Sequence, residues 1–199
     1  ELDALPGGAP VVVVEYGSGD DSASRLRAAI ERHEWQGRVQ LVSVEENRGF
    51  AGGNNIGMNR AVADTYLLLN SDTLVRPGAL TAMRQALDEH AGVGVVGPRL
   101  EWPDGRPQIS CFRFPSPASE IVRGAATGPV TKLLRRFDTP LAVAERPIPC
   151  DWLSFACVLV RREVLEAVGL LDDGFFMYFE DVEFCRRARR AGWSCLHTP

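Results

Sequence analysis

Tyr66-Leu67-Leu68-Leu69-Asn70-Ser71-Asp72-Thr73 is an apolar run that stops abruptly at Asn70, with a lone carboxylate, Asp72, two residues later. Buried parallel strands read as continuous apolar runs, so Tyr66–Leu69 predicts such a strand. Arg76-Pro77-Gly78 then turns the chain into an amphipathic segment from about Ala79. In open α/β sheets, ligands bind beyond the carboxyl ends of the strands. A carboxylate at such an end can hold a hard divalent cation, and the cation can hold a phosphate. Asn, Ser and Asp are also ordinary turn residues, so this stretch alone reads equally well as a turn.

The flanking segments supply the context. Upstream, Val11–Val14 is β-branched and predicts a buried strand, ending in Glu15–Ser22, dense in Gly, Ser and Asp. A helix follows over Ala23–Arg32, with Leu26 and Ile30 at helical spacing. Val39–Val44 reads as a second strand, and Glu45–Gly53 as a loop carrying Gly49, Gly52 and Gly53. A helix over Asn54–Val62 leads into the Tyr66–Leu69 strand. Downstream, a helix over Ala79–Glu89 buries Leu80, Met83 and Leu87, and Gly94–Pro98 is a short strand. Strand–helix repeated in this way predicts an α/β fold with a mainly parallel sheet, right-handed crossovers and flanking helices.

The second half breaks the rhythm. Trp102–Pro107 contains Asp-Gly and reads as a hairpin turn. Residues 114–149 are loop-like and rich in proline, with a basic amphipathic stretch at Val130–Phe137. Ala156–Val160 is a further buried strand, and Glu163–Val168 a short helix closed by Gly169. The aromatic run Phe175–Phe179 enters Glu180-Asp181, a helix covers Asp181–Ala191, and a strand starts at Ser194.

A length of 199 residues predicts a single domain, and a net charge of −4 gives no general attraction to nucleic acid. The five cysteines show no C-x-x-C pair and no zinc spacing, which fits reduced thiols of a cytosolic protein packed in the core. No apolar run has the length of a membrane span, and no signal peptide pattern is present. The chain begins at Glu1 rather than Met, so the natural start is expected upstream.

Three loops follow parallel strands and are expected at one sheet edge: Glu15–Asp21, Glu45–Gly53 and Asn70–Thr73. Glu15 could bond a ribose hydroxyl or a base N–H. The glycines let backbone approach a ligand, Arg48, Asn54 and Asn55 lie beside them, and the following helix N-terminus favours anions. Asp72 could hold a metal. Together they suit a nucleoside diphosphate, although turn formation explains each loop alone. The glycines lack the G-x-G-x-x-G spacing of a dinucleotide site. Glu180-Asp181, placed after an aromatic run at a helix start, can supply a general base. N-capping by Asp181, worth about 0.5–2 kcal/mol, is the alternative. Arg186, Arg187, Arg189 and Arg190 read as a solvated helix face, with Glu183 pairing to Arg187. His33 and His90 fall on polar helix stretches.

Val14–Asp20 resembles the V-D-N-G-S-x-D motif of family 2 glycosyltransferases, and Asn47–Asn55 their N-x-G-F-A-x-G-x-N motif. Leu69–Thr73 resembles the L-N-x-D-T metal motif of the rhamnosyltransferase-like branch. Asp151–Ser154 is similar to a W-L-S-G-A block and Phe175–Arg187 to F-F-x-Y-x-E-D-x-D-x-x-x-R. The resemblance implies a GT-A, Rossmann-like fold and inverting transfer from a nucleotide-diphosphate sugar to a hydroxyl of a glycan or lipid-linked glycan, with Mg²⁺ or Mn²⁺. It implies a nucleotide-sugar half over residues 1–98 and an acceptor and catalytic half over 99–199. By position, Glu15, Gly17, Ser18, Arg48, Gly49, Asn55, Asn70 and Ser71 would bind donor, and Asp72 the metal. Asp181 would be the base beside Glu180, and Trp152, Ser154, Phe155 and Tyr178 would line the acceptor side. Glu15 and Tyr16 replace the family's Asp and Asn, and Phe155 a small residue, which would narrow the acceptor side. Both ends look cut: family members begin with an additional strand, and their metal-binding His follows the point where this chain stops, so His197 is not its equivalent. A missing strand would leave an open edge and favour homodimers. Arg123, Lys132, Arg135 and Arg136, among Ile121, Val122, Leu133, Leu134 and Phe137, suggest peripheral membrane contact at the cytoplasmic face; a solvated loop is the alternative. Two other functional classes stay open: a degenerate module that binds nucleotide or glycan without turnover, and a different nucleotidyl-handling α/β enzyme.

Overall fold

The computed structural model describes residues 8–117, 119 and 139–199. The basic segment considered for membrane contact, including Val130–Phe137, lies outside them. Among the described residues no helix is long and apolar enough to cross a membrane.

The valine run forms β1 (Val11–Glu15), joined through α1 (Ser22–Arg32) to the parallel strand β2 (Val39–Ser43). A second, five-stranded sheet contains β3 (Thr65–Leu69), β4 (Val93–Pro98), β8 (Ile148–Cys150), β10 (Cys157–Arg161) and β11 (Ser194–Thr198), in the order β3-β10-β4-β11-β8. The expectation of a mainly parallel sheet needs correction here. β10 lies between β3 and β4, antiparallel to both, and β8 is antiparallel to β11; only β4 and β11 are parallel. Cys157–Val160 is buried throughout, and a strand apolar on both faces takes a central position. Short pairs complete the framework: β5 (Leu100–Glu101) with β6 (Pro107–Gln108) around Gly105, and β7 (Cys111–Phe112) with β9 (Trp152–Leu153).

Strand alternation sorts side chains to two faces. Val96, Leu159 and Leu196 meet Met83 and Leu87 of α3 (Ala79–Glu89). Val95, Val158, Val160 and Cys195 face Val164 of α4 (Arg162–Val168) and Phe184, Cys185 and Ala188 of α5 (Glu180–Arg190). Arg161 donates to the carbonyls of Val93, at 2.7 Å, and Leu87, tying the end of α3 to the start of β4. Gly169, at φ +80°, ends α4 as expected.

The edges of β1 and β3 are open among the described residues. Val11 N donates to Arg38 O and Val44 N to Glu15 O, both at 2.8 Å, so Val11, Val13 and Glu15 turn their backbone groups to β2. By alternation Val12 and Val14 face the other side, where no strand pairs. Asn70 N to Ala156 O and Arg162 N to Asp64 O, both 2.9 Å, likewise turn Tyr66 and Leu68 to β10 and leave Thr65, Leu67 and Leu69 on the open edge of β3. Val11–Val14 are consequently half-buried rather than fully buried.

β4 approaches α4 at Gly94, where an added Cβ would lie 2.4 Å from Val164 Cγ2 and 3.1 Å from Trp193 Cβ. Overpacking of this kind costs about 1–3 kcal/mol. Gly94→Ala is therefore expected to lower unfolding free energy by that amount in denaturant melts, and Val164→Ala in the same background to restore part of it. Additive losses would show that the two residues do not share the contact.

Candidate functional site

The ends of β1 and β3 carry the acids singled out by sequence. Glu15 is buried, and its Oε1 accepts from Ser18 N (2.7 Å) and Ser18 Oγ (2.8 Å). These bonds to Ser18, the backbone one foremost, hold its carboxyl below the usual range. Glu15 thus builds the turn containing Gly17, at φ +48°, where a Cβ would sit 2.9 Å from Glu45 O. After β3, Asn70 N and Thr73 Oγ1 both reach Ala156 O, at 2.9 and 3.5 Å. This leaves Ser71 and Asp72 exposed at the turn. Arg76, close by in sequence, is taken by Glu101 at 2.6 Å, which Arg99 also reaches at 3.0 Å. Asp72 has no hydrogen bond or ion pair among the described residues. No group of three or more His, Cys, Asp or Glu side chains able to hold a metal converges among the described residues. A single free carboxylate still fits an ion that takes one or two carboxylates and completes its shell with substrate phosphates and water.

The glycine segment is not the expected loop. α2 spans Gly49–Met58, so Gly52 and Gly53 are helical, Gly49 opens the helix at φ +69°, and the helix stops before Val62. Each glycine admits a neighbour. A Cβ at Gly53 would fall 0.9 Å from the Tyr16 hydroxyl, at Gly52 2.5 Å from Arg48 Cβ, and at Gly49 1.9 Å from Phe176 O. Glycine is a poor helix former, but close packing overrides that preference. Gly49 N is bonded by Asn47 Oδ1 at 2.9 Å, and Arg48 is exposed and paired with Glu46 at 3.2 Å. Asn55, expected in a donor pocket, instead spends its amide on the backbone of Leu171: Nδ2 donates to Leu171 O (2.8 Å) and Oδ1 accepts from Leu171 N (3.0 Å). Nothing in the sequence marks a pair 116 residues apart.

The segment bonded to α2 carries the candidate base. Phe50 N donates to Phe176 O at 3.0 Å. Phe176, Met177, Tyr178 and Phe179 are 57%, 56%, 71% and 65% exposed. Tyr178 and Phe179 have φ +66° and +70°, left-handed conformations that are unfavourable for bulky residues. Phe179, not Asp181, is the N-cap of α5, and it makes no side-chain capping bond. Asp181 sits in the first turn, where its Oδ1 accepts from Val182 N at 2.8 Å. Burial pushes its carboxyl up to about 6, against the pull of the Val182 N–H, with Glu180 adding to the rise. Glu180 is only 5% exposed, its Oε2 has no partner, and burial raises it too.

Beside α5, next to β9, Ser154 N donates to Ser110 O at 2.9 Å. Trp152 stacks on Phe112 with centroids 4.1 Å apart and donates Nε1 to Arg113 O at 3.0 Å. Phe155 does not line an acceptor surface. It is buried in the core, edge-on to Phe184 at 5.7 Å, because the β9–β10 turn points it inward. Arg187 pairs with Glu183 at 2.7 Å as expected, and also donates to Leu170 O at 2.8 Å and to Val168 O, so it staples α5 to the end of α4. The cysteines are free thiols in or beside the core. His197 is buried, which lowers its pKa, with Arg99 contributing. A concavity of about 380 Å³ lined by Pro10, Gln36, Arg38 and Arg60 lies at the far end of β1 and β2, away from these residues.

Gly49→Ala requires a left-handed alanine and pushes on Phe176 O, costing about 1–3 kcal/mol. Asn55→Ala frees both backbone groups of Leu171, a loss of similar size. Both variants are expected to speed hydrogen exchange in residues 171–179 while leaving α3 protected. Unchanged exchange in that segment would show that α2 does not hold it.

A profile for Glycosyltransferase like family 2 matches residues 6–199. The N-acetylglucosaminyl-diphospho-decaprenol L-rhamnosyltransferase of Mycobacterium tuberculosis is 30% identical, over 95% of this chain and 64% of that protein. The low-salt glycan biosynthesis hexosyltransferase Agl10 of Haloferax volcanii is 26% identical, over 94% and 55%. The chain thus spans less than two thirds of the length of these relatives. Among solved structures, the mannosyltransferase PcManGT of Pyrobaculum calidifontis, in complex with GDP-Man and Mn²⁺, superposes with TM-score 0.62 at 21% identity, over 96% of this chain and 45% of that one. GalNAc-T7 with UDP, GalNAc and Mn²⁺ gives 0.66 at 13% identity, over 96% and 36%. The architecture is that of the GT-A glycosyltransferases, with β10 interposed between β3 and β4, and the chain belongs to glycosyltransferase-like family 2.

Proposed function

We propose that the protein transfers a sugar, with inversion, from a nucleotide-diphosphate sugar to a hydroxyl of a lipid-linked glycan at the cytoplasmic face of a membrane. The observation that carries this reading is Asp181: a half-buried carboxyl near neutrality at a helix start, on a segment bonded to the glycine helix α2. Residues 1–98 would serve the donor and 99–199 the acceptor. Glu15 and Tyr16 would face the nucleoside, Gly17, Ser18, Arg48, Gly49, Asn70 and Ser71 the rest of the donor, and Asp72 would hold Mg²⁺ or Mn²⁺. When bound, that cation would neutralise charge on the departing diphosphate. The acceptor oxygen attacks the anomeric carbon from the face opposite the diphosphate. The anomeric C–O bond breaks, its electron pair leaves with the nucleoside diphosphate, and the hydroxyl proton passes to the Asp181 carboxylate. Tyr178, Trp152 and Ser154 would border the acceptor. The acceptor class follows the diphospho-decaprenol of the mycobacterial relative's name.

Asp72→Ala is expected to abolish Mn²⁺-dependent binding of nucleoside diphosphates in calorimetry without altering the melt. Asp181→Asn should keep that binding and lose transfer by about 10²–10⁴-fold. Wild-type rates should fall below pH about 6 as Asp181 takes a proton. The folded value of about 6 lies above the ordinary 3.8. The native protein therefore keeps a proton that the unfolded chain releases, and the stability this confers is lost as pH rises through that interval. Asp181→Asn should consequently stabilise the fold at pH 7.5 by about 1 kcal/mol, less than the full shift because the carboxyl is partly solvated, and not at pH 3.5. Transfer near wild-type in Asp181→Asn would remove the base assignment.

A binding module without turnover is the second reading, favoured by the open edges of β1 and β3 beside the donor loops. Mn²⁺-dependent nucleotide binding without donor hydrolysis would select it. Pairing of two copies through those edges belongs to either reading. Light scattering is expected to show a concentration-dependent dimer; a monomer throughout the micromolar range would exclude it.

A further inference from the structure

We propose that Cys150 and Cys195 form a redox modification site, at which a peroxide joins the two thiols in a reversible disulfide that locks the edge strand β8 to β11. Four of the five cysteines, Cys111, Cys150, Cys185 and Cys195, meet in one apolar cluster beside α5, and Cys157 belongs to the cluster on the other face of the sheet. Cys150 and Cys195 are direct partners in the antiparallel pairing of β8 with β11, so both side chains leave the same face of the sheet. Pro149, opposite Leu196, has no N–H to donate, so the ladder bonds fall on the Cys150–Cys195 and Ile148–His197 pairs. In such a pair the Cα atoms stand about 5.5 Å apart, within the span of a disulfide. Facing Cβ atoms lie about 4.5–5.5 Å apart, and a disulfide draws them to about 3.5–4.5 Å. The bond therefore closes with a small approach of the two strands, and the strain left in it keeps it reducible. The other thiols are placed differently: Cys111 faces Leu153 across the β7–β9 pair, and Cys185 shares a hydrogen bond with Cys195 from α5.

Access sets the order of the steps. Cys111, Cys185 and Cys195 are 2%, 0% and 3% exposed, whereas Cys150 is half-buried on the last strand of its sheet. Cys150 is therefore the thiol that a small oxidant meets first. Its sulfur takes one oxygen from hydrogen peroxide, giving a sulfenic acid and one water. The Cys195 sulfur then attacks the Cys150 sulfur, the S–O bond breaks, and the departing hydroxide takes the Cys195 proton as a second water. Two thiols are oxidised and one peroxide is reduced. Burial pushes the Cys150 thiol up, with Cys195 and Cys111 adding to the rise, so little thiolate is present at neutral pH and the first step is slow. The site thus answers sustained oxidation and not a brief pulse. β8 runs directly into Asp151, which pairs with Arg189 of α5 and accepts from Phe114 N at 2.8 Å. A bond at Cys150 would fix the strand from which this contact to α5 departs.

Prolonged treatment of the purified chain with hydrogen peroxide, followed by thiol titration and non-reducing peptide mass spectrometry, tests this. Wild type is expected to lose two of its five thiols, to show the Cys150 and Cys195 peptides joined, and to regain both thiols in reduced glutathione. Cys195→Ser should form no bond and leave Cys150 as a sulfenic acid that dimedone traps. Cys111→Ser should still form the bond. Cys150→Ser, at the half-buried position, serves as the second variant should Cys195→Ser fail to fold, and it should keep all its remaining thiols under the same treatment. Retention of all five thiols by wild type, a bond made through Cys111 or Cys185, or a bond that glutathione does not open would overturn the proposal.

Discussion

A carbonyl oxygen of the second half of the chain rests where a side chain of the first half would be. Phe176 O lies 1.9 Å from the position a Cβ would take at Gly49, and it accepts the N–H of Phe50 at 3.0 Å. Glycine at 49 is the condition for that bond, and the bond is reinforced farther along α2 by the Asn55–Leu171 pair. The segment 171–179 is thereby fixed to α2 before it enters α5. This bears on the left-handed Tyr178 and Phe179, where each such residue costs about 1–3 kcal/mol and persists only when surrounding structure over-determines it. Here the backbone is held at Phe176 on one side and by the buried Phe184 and Cys185 of α5 on the other. The strain turns apolar side chains into solvent beside Asp181, an arrangement that folding alone would not favour.

The same logic connects the Asp72 turn to α5 by another route. Asn70 and Thr73 both hold Ala156 O, at the start of β10. β10 lies between β3 and β4, and the residues just before it, Trp152 and Leu153, form β9 against α5. Cys185 of α5 sits against the Leu153 backbone. The antiparallel insertion of β10 therefore brings residues from the second half to the strand end where Asp72 stands. An all-parallel order would have placed β4 beside β3 and moved this connection one strand away.

Much of this was legible in the sequence, for identifiable reasons. Val11–Glu15, Thr65–Leu69 and Cys157–Arg161 are strands because their apolar runs are short, β-rich or bounded by turn residues. Gly169 closes α4 because its positive φ is a local requirement. The failures are non-local. Gly49, Gly52 and Gly53 suggest a loop to any local rule, yet they lie in α2 and are glycine because Phe176, Arg48 and Tyr16 need the space. Asn55 has the chemistry of a ligand contact, but a backbone 116 residues away claims it. Phe155 turns inward to Phe184, a contact invisible in either neighbourhood. The direction of β10 is likewise not marked by its own residues, since Cys157–Val160 is apolar on both faces and suits either direction.

Asp181 rather than Glu180 is suited to accept a proton, and burial decides between them. The first turn of α5 holds Glu180, Asp181 and Glu183, all favoured there by the helix dipole. Glu183 is occupied by Arg187 at 2.7 Å. Glu180 points into the protein with Oε2 sealed and unpartnered, out of reach of a substrate hydroxyl. Asp181 is one residue further, about 100° around the helix, and keeps Oδ1 on Val182 N while its second oxygen carries no bond. Burial and the backbone N–H pull its carboxyl in opposite directions, and burial wins, which brings it up to about 6. A base poised there is still ionised at neutral pH and more basic than a solvated aspartate, which favours proton uptake in a transition state. Moving the acid one position back would lose one of these properties, because Glu180 is sealed from solvent.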